Sequence, residues 1–369
     1  MIAVYLIFAL LFFYTVLLLI MAYGYLKSNY FITTPLPAQS PISLIICARN
    51  EEKHISLCLK SLLAQRYNKA LVQLIVVNDA STDHTLKMAQ SILGTSGINY
   101  TLINNTAPIG KKASISKAME LAQHPTIITR DADTFTLSTE WLNNLAQFKE
   151  AGHYDLVIGP VAIAEKSGLL WALQCVENNV LTVLSAGSAY FNKPFLCSGA
   201  NLLFTKAIFE KVNGYQSHGH IASGDDVLFL EDVKKTKDAR IGFLKAKSAL
   251  VYTYPQFRIT QLLVQKVRWA QKFKHNPNVL NLTLSLLTFS VNAAWVMAFI
   301  GFFLHVPFHN YLLVFVLLKL LAELFLLFLS RRFMTNKHLF WYAFAVAFVY
   351  PFYAIVVALL SLFLQPKWK

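Results

Sequence analysis

The stretch IITRDADTF places two carboxylates one residue apart, Asp131 and Asp133, at the end of an apolar run. Residues 126–129 have the pattern of a buried strand, so both carboxylates are expected where the chain leaves a sheet, at its carboxyl edge. Two carboxylates about 4 Å apart repel by roughly 4 kcal/mol at an effective dielectric constant of about 20 unless a cation lies between them. Mn²⁺ or Mg²⁺, with a substrate phosphate on its far side, would satisfy this pair. A solvated turn also explains the pattern when it is taken alone.

The chain before this stretch repeats one plan, in which a hydrophobic strand is followed by a polar turn and then a helix. The strands are expected at residues 42–47, 71–77, 100–103 and 126–129. This succession is typical of a parallel α/β sheet, so the polar turns fall on one edge. They carry Glu51, Asp79, and the pair Lys111 and Lys112 beside a helix expected to start near Ala113. Lysine at a helix amino terminus predicts an anion site, and a solvated basic turn fits equally well.

The composition indicates a membrane protein, because 56% of the 369 residues are hydrophobic and the mean hydropathy is +0.47. Apolar runs of membrane length lie at residues 1–24, 280–304, 311–329 and 340–364. At 1.5 Å per residue, a run of this kind crosses a hydrocarbon core of about 30 Å. The first run has neither a basic start nor a small-residue cleavage site, so it is interpreted as an uncleaved anchor.

The distribution of basic residues orients the chain, because they flank alternate ends of the apolar runs while residues 305–310 have neither lysine nor arginine. The flanking residues are Lys27, Lys266, Arg268, Lys272, Lys274, Arg331, Arg332 and Lys337. The block between the first two runs is therefore expected to be cytoplasmic, although this count leaves Lys367 and Lys369 on the outside. The net charge of +14 does not indicate nucleic-acid binding, since the basic residues form no extended run with interleaved aromatics. Anionic membrane lipids are the expected partner.

Four cysteines, Cys47, Cys58, Cys175 and Cys197, have no C-x-x-C spacing. Neither a zinc site nor a disulfide is therefore predicted.

The ordered motifs resemble the nucleotide-sugar-binding half of inverting family 2 glycosyltransferases, which have the GT-A fold. The motifs are ARNEE, VNDASTD, GKKAS, DAD, CSGANLLFTKAIFEKVNGY, SGDDVLFLED and QKVRW. The last matches the Q-x-x-R-W motif of the membrane-embedded members, which include cellulose, chitin and hyaluronan synthases and ceramide glucosyltransferases. The resemblance covers residues 41–269 and implies an α/β fold with a mainly parallel sheet, flanked by one N-terminal and about three C-terminal transmembrane helices.

The expected domain boundaries follow from these runs and motifs. They are an N-terminal transmembrane helix at residues 1–26, a cytoplasmic GT-A glycosyltransferase domain at 27–258, an amphipathic interface helix with Q-x-x-R-W at 259–278, and a C-terminal membrane domain at 279–369.

The resemblance implies roles for the polar turns. Glu51 and Asp79 stand where the family holds the nucleotide base and ribose, although a charge favoured at a helix start also explains Glu51. Asp131 and Asp133 match the D-x-D pair, with Asp133 expected as the direct metal ligand. A divalent cation, Mn²⁺ or Mg²⁺, would neutralise the leaving diphosphate.

The same resemblance assigns the remaining catalytic groups. Lys111 or Lys112 would assist the diphosphate, and the sequence does not choose between them. Asp226 in GDD matches the base that activates the acceptor hydroxyl, and Asp225 beside it is expected to raise its pKa. Asp232, farther along the same helix, is interpreted as a solvated residue.

The QKVRW motif has two interpretations. Gln265, Arg268 and Trp269 would close the site, with Arg268 on the diphosphate and Trp269 near the acceptor. The segment is also a plausible basic amphipathic anchor on lipid headgroups, and one helix can serve both purposes.

Two further polar pairs attract attention. His218 and His220 lie in a glycine-containing loop without a third metal ligand, so they are interpreted as acceptor-side loop residues. Lys319 and Glu323 are spaced four residues apart within an apolar run, where mutual neutralisation is the favoured interpretation.

The expected function is a membrane-bound inverting hexosyltransferase that moves a sugar from a nucleotide-sugar donor, a UDP-sugar by resemblance, to a lipid at the cytoplasmic face of a bacterial inner (plasma) membrane. A processive polysaccharide synthase is the alternative and would need an oligomer or a partner subunit. A nucleotidyltransferase would release pyrophosphate rather than UDP, and a non-enzymatic scaffold or transporter would not need Asp226. No motif selects the sugar, the acceptor, the metal or the oligomeric state.

Overall fold

The computed structural model describes residues 1–34, 38–219, 221, 224–274, 279–336 and 338–364. His220, Lys337, Lys367 and Lys369, which enter the sequence predictions, lie outside the described residues. The chain divides into two units. A helical unit contains Met1–Lys27, Glu165–Ser188 and Pro255–Lys367, and an α/β unit contains Ser28–Ala164 and Ala189–Tyr254.

The α/β unit contains a large sheet and a small one. The strands are β1 (Ile42–Ala48), β2 (Val72–Asn78), β3 (Asn99–Asn104), β4 (Thr126–Asp131), β5 (Thr134–Thr136), β6 (Leu156–Ile158), β7 (Val161–Ile163), β8 (Leu202–Thr205), β9 (Ile241–Phe243) and β10 (Val251–Thr253). The order in the large sheet is β3-β2-β1-β4-β8-β6-β9, and the small sheet is β5-β10-β7. All neighbours from β3 to β4 are parallel, whereas β8 runs antiparallel to β4 and β6. The predicted mainly parallel α/β fold is confirmed.

Helices cover both faces of the large sheet. Those of the α/β unit are α2 (Ile55–Leu63), α3 (Thr85–Gly94), α4 (Lys111–Leu121), α5 (Trp141–Gly152), α7 (Lys206–Lys211) and α8 (Asp225–Lys234). Successive β1 side chains enter opposite cores: Leu44 joins a cluster that contains Leu59 and Trp141, and Ile45 joins one that contains Ile115 and Phe229. Burial on both faces explains why these strands are continuous apolar runs rather than alternating ones.

The strand register places three polar turns at one edge. Cys47 of β1 is paired with Asp131 of β4, and Ala48 is paired with Asn78 of β2. The chain therefore leaves β1, β2 and β4 at the same carboxyl edge. The strand order reverses between β1 and β4, which is where open α/β sheets bind ligands.

The helical unit contains the apolar helices. Its helices are α1 (Ile2–Lys27), α6 (Leu169–Tyr190, as far as Ser188), α9 (Ile259–Lys274), α10 (Val279–Phe303), α11 (His309–Ser330) and α12 (Leu339–Phe363). Four helices of the described part of the chain, α1 and α10 to α12, are long and apolar enough to cross a membrane. The sequence predicted these four but not α6, which groups with them while carrying buried polar residues such as Gln174 and Asn179.

Buried polar side chains join the apolar helices. Lys319, which is fully buried, donates to Glu323 Oε2 at 2.8 Å and to Asn292 Oδ1 of α10 at 3.0 Å. Tyr14 of α1 donates to the second oxygen, Glu323 Oε1, at 2.9 Å. Lys319 and Glu323 therefore neutralise each other, as the sequence favoured, and their bonds connect three helices. Tyr14, Asn292 and Lys319 each stand near the middle of their helix.

A close approach of α6 to α1 gives the first testable prediction. A Cβ at Gly187 would lie 2.1 Å from the backbone oxygen of Met21, so Gly187→Ala must push the two helices apart. Overpacking of this kind costs about 1–3 kcal/mol, and we expect a lower unfolding temperature for the purified protein in detergent. Gly94→Ala is the matched control, because no atom lies within 4 Å of its added Cβ and alanine is the better helix former. Equal unfolding temperatures for the two variants would contradict the predicted contact.

Candidate active site

A glycine precedes each of the two helices that bring charged residues to the carboxyl edge of the sheet. Gly110 precedes α4 with φ +86°, and Gly224 precedes α8 with φ +84°. These angles lie in the region that glycine adopts without strain. The first residue of α4 is Lys111 and the first two of α8 are Asp225 and Asp226.

Lys111 joins two of the predicted carboxylates. Its Nζ lies 2.7 Å from Asp131 Oδ1 at the end of β4 and 2.8 Å from Asp225 Oδ2 at the start of α8. Burial alone would lower the pKa of Lys111, but Asp131 and Asp225 outweigh it and hold that pKa well above its usual value. The structure thus brings the D-x-D segment and the GDD segment together on one ammonium group.

Gly199 allows this close approach. A Cβ at that position would lie 2.9 Å from both Asp225 Oδ2 and Lys111 Nζ. The backbone N–H of Gly199 also donates to Asp226 Oδ2 at 3.2 Å. In the sequence, Gly199 lies within the CSGAN segment. Without the fold, nothing distinguishes it from a glycine of an ordinary turn.

Asp226 lies at the amino terminus of α8, where its Oδ1 also accepts from the N–H of Val227 at 2.8 Å. It is about nine-tenths buried. A carboxylate in the first turn of a helix is also favoured by the helix dipole, and this is the purely structural explanation of the GDD pair. That explanation does not account for the ion pair between Asp225 and Lys111.

Of the two D-x-D carboxylates, Asp133 is the one whose negative charge is less compensated by nearby cations. Burial, together with the charges of Asp131 and Glu51, raises the pKa of Asp133 to about 7. A bound cation would relieve this repulsion between the carboxylates. Among the described residues, no group of three or more His, Cys, Asp or Glu side chains is arranged to hold a metal by itself. Two carboxylates completed by donor phosphates are nevertheless a common set for Mg²⁺, so Asp131 and Asp133 fit such an ion.

A buried arginine supports the turn that carries the D-x-D pair. Arg130 is 1% exposed, and its Nε donates to Thr134 Oγ1 at 3.0 Å. The Thr134 hydroxyl in turn donates to the backbone oxygen of Asp131 at 2.6 Å. The guanidinium also lies over the ring of Trp141, 5.0 Å from its centroid. The sequence did not reveal this support, because an arginine inside a strand carries no sign of its partners.

Glu51 lies in the turn after β1 and pairs with a histidine that the sequence did not single out. Its Oε2 is 2.8 Å from His54 Nδ1, and the imidazole packs against the Tyr254 ring at a centroid distance of 4.7 Å. The Glu51 backbone N–H donates to Thr85 Oγ1 at 2.7 Å, which ties this turn to the one after β2. The carboxylate is therefore held at the edge, beside Asp133.

Asp79 is 3% exposed, and both oxygens of its carboxylate accept hydrogen bonds. Its Oδ1 accepts from Ile109 N at 2.9 Å and from Asn105 Nδ2 at 3.0 Å, and its Oδ2 accepts from Gly110 N at 2.9 Å. These bonds fix the loop that presents Lys111. The geometry thus supports a positioning role for Asp79, in addition to the nucleoside contact that the resemblance implies.

The occupied carboxylate leads to a second prediction. Asp79→Asn removes the charge that three N–H groups share, and each hydrogen bond to a charged group is worth about 1.5–3 kcal/mol. We expect UDP affinity, measured calorimetrically, to fall about tenfold and the unfolding temperature of the donor-free protein to fall as well. Asp238→Asn, which removes an exposed carboxylate, is the control. Weaker UDP binding with an unchanged unfolding temperature would leave Asp79 as a nucleotide contact only.

Lys112 faces a different direction from Lys111. Its Nζ donates to the backbone oxygens of His218 and Ile221, both at 2.8 Å, so it holds the loop before α8. His218 lies 3.3 Å from Asp232, whose carboxylate also accepts from Ser217 and Lys235. Asp232, interpreted from the sequence as solvated, is thus an ion-paired residue of α8 that contacts this loop.

The residues of the QKVRW motif lie on α9 in the helical unit. Trp269 is exposed, with Lys266 Nζ 4.2 Å from its ring centroid. Lys266 also pairs with Glu177 of α6 at 2.5 Å. Gln265 and Arg268 are half-buried. Their predicted contacts with donor and acceptor stay predictions.

Comparison with known proteins shows what part of the α/β unit resembles. Residues 43–212 match the family model described as Glycosyl transferase family 2. This segment, which contains Glu51, Asp79, Lys111 and the D-x-D pair, is therefore similar to family 2 glycosyltransferases. Asp225, Asp226 and α9 lie beyond the matched residues.

Individual relatives resemble this chain in part. Over 117 residues it is 28% identical to a Staphylococcus aureus (strain Mu50 / ATCC 700699) protein described as poly(ribitol-phosphate) beta-N-acetylglucosaminyltransferase TarS. The match covers 31% of this chain and about a fifth of the length of that relative.

Two solved structures resemble the fold. The mannosyltransferase PcManGT from Pyrobaculum calidifontis, solved with GDP-Man and Mn²⁺, has a TM-score of 0.54 at 16% identity and covers 98% of this chain and 97% of its own. S. aureus TarS has a TM-score of 0.45 at 20% identity, over 61% of this chain and 39% of its own. The first likeness supports a GT-A-type fold with associated helices.

Proposed function

We propose that this protein is a membrane-bound, metal-dependent, inverting glycosyltransferase that moves a hexose from a UDP-sugar to a membrane lipid. The observation that carries the proposal is the joining of Asp131 and Asp225 by Lys111 at the carboxyl edge of the sheet. This contact places a D-x-D pair, suited to a metal and diphosphate, beside a carboxylate pair suited to a base. The family match over residues 43–212 supports the class of reaction.

In the proposed reaction, the Asp226 carboxylate acts as the general base. Asp226 accepts the proton of the acceptor hydroxyl while the new bond forms between that oxygen and the anomeric carbon. The bond from the anomeric carbon to the diphosphate breaks on the opposite face, and UDP leaves. A divalent cation held by Asp131 and Asp133 would neutralise charge on the departing diphosphate. Lys111 adds a second cation, and Glu51 is assigned to the nucleoside.

Residues of α9 complete the proposal. Arg268 is assigned to the diphosphate, and Gln265 and Trp269 are assigned to closing the site and to the acceptor. The basic flanks of the apolar helices support a bacterial inner-membrane protein with its catalytic domain in the cytoplasm and anionic lipids as neighbours.

A lipid acceptor is favoured over an extruded polymer by the helical unit. The buried charges described there, Lys319 with Glu323 and Lys266 with Glu177, are paired with each other. The four apolar helices, on which Lys319 and Glu323 neutralise each other, offer little polar lining for a glycan in transit. A lipid needs no such lining, because its chains stay in the bilayer while its hydroxyl reaches the cytoplasmic face.

A polymeric acceptor is the second candidate, and one observation favours it. The relative with 28% identity is described as acting on poly(ribitol-phosphate). A polysaccharide product would require an oligomer or a partner subunit to supply a tunnel.

The test uses the full-length, detergent-purified protein with Mn²⁺, total membrane lipid and radiolabelled donors. The donors are UDP-glucose, UDP-galactose, their N-acetyl forms and GDP-mannose. We expect label in solvent-extractable lipid from one UDP-sugar, with UDP released, and loss of transfer after EDTA treatment that Mn²⁺ restores. Label in high-mass material would replace the lipid by a polymer, and release of pyrophosphate would indicate a nucleotidyltransferase. Absence of UDP binding, with no product from any donor, would support a non-enzymatic scaffold.

A further inference from the structure

The Lys111 ammonium occupies a position where its charge needs anionic partners. It belongs to the first residue of α4, where the helix dipole disfavours a positive charge. Its side chain is 15% exposed, so water offers little compensation. The two ion pairs, with Asp131 at 2.7 Å and Asp225 at 2.8 Å, are therefore what holds it.

This ammonium uses the carboxylate that a metal would need. Asp131 Oδ1 is bonded to Lys111, and Asp131 is also the first residue of the D-x-D pair. A dication on the Asp131 carboxylate and an ammonium on the same carboxylate would be only a few ångströms apart and would repel strongly. The second metal ligand, Asp133, has no comparable ion pair among those described, since only Asp131 and Asp225 share Lys111.

We propose that Lys111 is the resident cation of the donor-free site and that the metal must displace it from Asp131. The ammonium keeps the end of β4 and the first turn of α8 together while the site waits for the donor. When the nucleotide brings a diphosphate, the displaced ammonium gains a new anionic partner, so metal and nucleotide each strengthen the binding of the other. This inference rests on the metal dependence proposed above.

Two neighbouring lysines supply a matched experiment. Lys111→Gln removes the ammonium from Asp131 and Asp225, whereas Lys112→Gln removes an ammonium that donates to the backbone oxygens of His218 and Ile221. Both variants lose one positive charge, so Lys112→Gln reports what a change of net charge near the site does to cation binding. The affinity for Mn²⁺ alone is measured by electron paramagnetic resonance on full-length protein in detergent, without nucleotide.

We expect Lys111→Gln to bind Mn²⁺ about tenfold more tightly than the wild type, within the usual range for coupled ligands, and Lys112→Gln to show no such gain. UDP should tighten Mn²⁺ binding in the wild type by more than it does in Lys111→Gln. If Lys111→Gln does not fold, Lys111→Arg, which keeps a cation on both carboxylates, is expected to retain the weak Mn²⁺ binding and the UDP effect of the wild type.

Three results would overturn the inference. Unchanged or weaker Mn²⁺ binding by Lys111→Gln, with the wild type still binding Mn²⁺ and transferring sugar, would reject the displacement and leave the proposed function intact. Equal gains in Mn²⁺ affinity for both lysine variants would show that the tighter binding comes from the change in net charge alone. Transfer that EDTA does not impair, with no Mn²⁺ bound by any variant, would reject the metal dependence and the displacement together.

Discussion

Asp226→Asn is expected to lower sugar transfer by a factor of about 10² to 10⁴, which is the usual contribution of a general base. The amide keeps one oxygen that can accept from the N–H of Gly199 or Val227, so the start of α8 should persist. UDP binding is therefore expected to change little while product formation is lost. Initial rates of transfer and calorimetric UDP affinity, measured on the same preparation, check this expectation.

Variants of the neighbouring carboxylates, Asp225 and Asp232, test whether Asp226 is the base. Asp225→Asn removes an ion pair with Lys111 and should weaken donor binding as well as the rate. Asp232→Asn lies on the same helix but contacts Ser217, His218 and Lys235, and it should keep most of the activity. If Asp226→Asn retained transfer and Asp225→Asn lost it without losing UDP affinity, Asp225 would be the base.

Lys319→Met is expected to destabilise the helical unit by about 3–5 kcal/mol, because it leaves the Glu323 carboxylate buried without its cation. Glu323→Gln should have a similar effect, since the buried Lys319 ammonium would lose the carboxylate that neutralises it. The double variant removes both charges and preserves an acceptor for the Tyr14 hydroxyl. It should therefore be more stable than either single variant.

Unfolding temperatures of the wild type and the three variants in detergent form a double-mutant cycle. Leu318→Met is the control, because it places the same side chain at the adjacent, exposed position of α11 and should be nearly neutral. Additive losses in the double variant would mean that Lys319 and Glu323 do not stabilise each other.

The sequence predicted much of the α/β unit because its signals are local. The first strand was expected at residues 42–47 and is Ile42–Ala48, and the second was expected at 71–77 and is Val72–Asn78. Each strand is an apolar run bounded by polar turns, which needs no knowledge of the fold. The four apolar helices were predicted for the same reason.

The details of the site could not be predicted because they depend on the direction in which each side chain points from its helix. Lys111 and Lys112 are adjacent in sequence, yet successive residues of a helix point about 100° apart, so one reaches carboxylates and the other reaches a loop. The partners of Asp79 lie 26 to 31 residues farther along the chain, and no local pattern reveals them. Helix α6 was missed because its polar face makes it too hydrophilic for a membrane run.

The bond between Tyr14 and Glu323 also constrains how the protein is made. The two residues are 309 positions apart, so the ribosome releases Tyr14 long before its partner exists. The Tyr14 hydroxyl therefore lacks this acceptor while the whole α/β unit is synthesised. The bond that joins α1 to α11 can form only after Glu323 has been synthesised. A chain truncated before Glu323 would lack this acceptor.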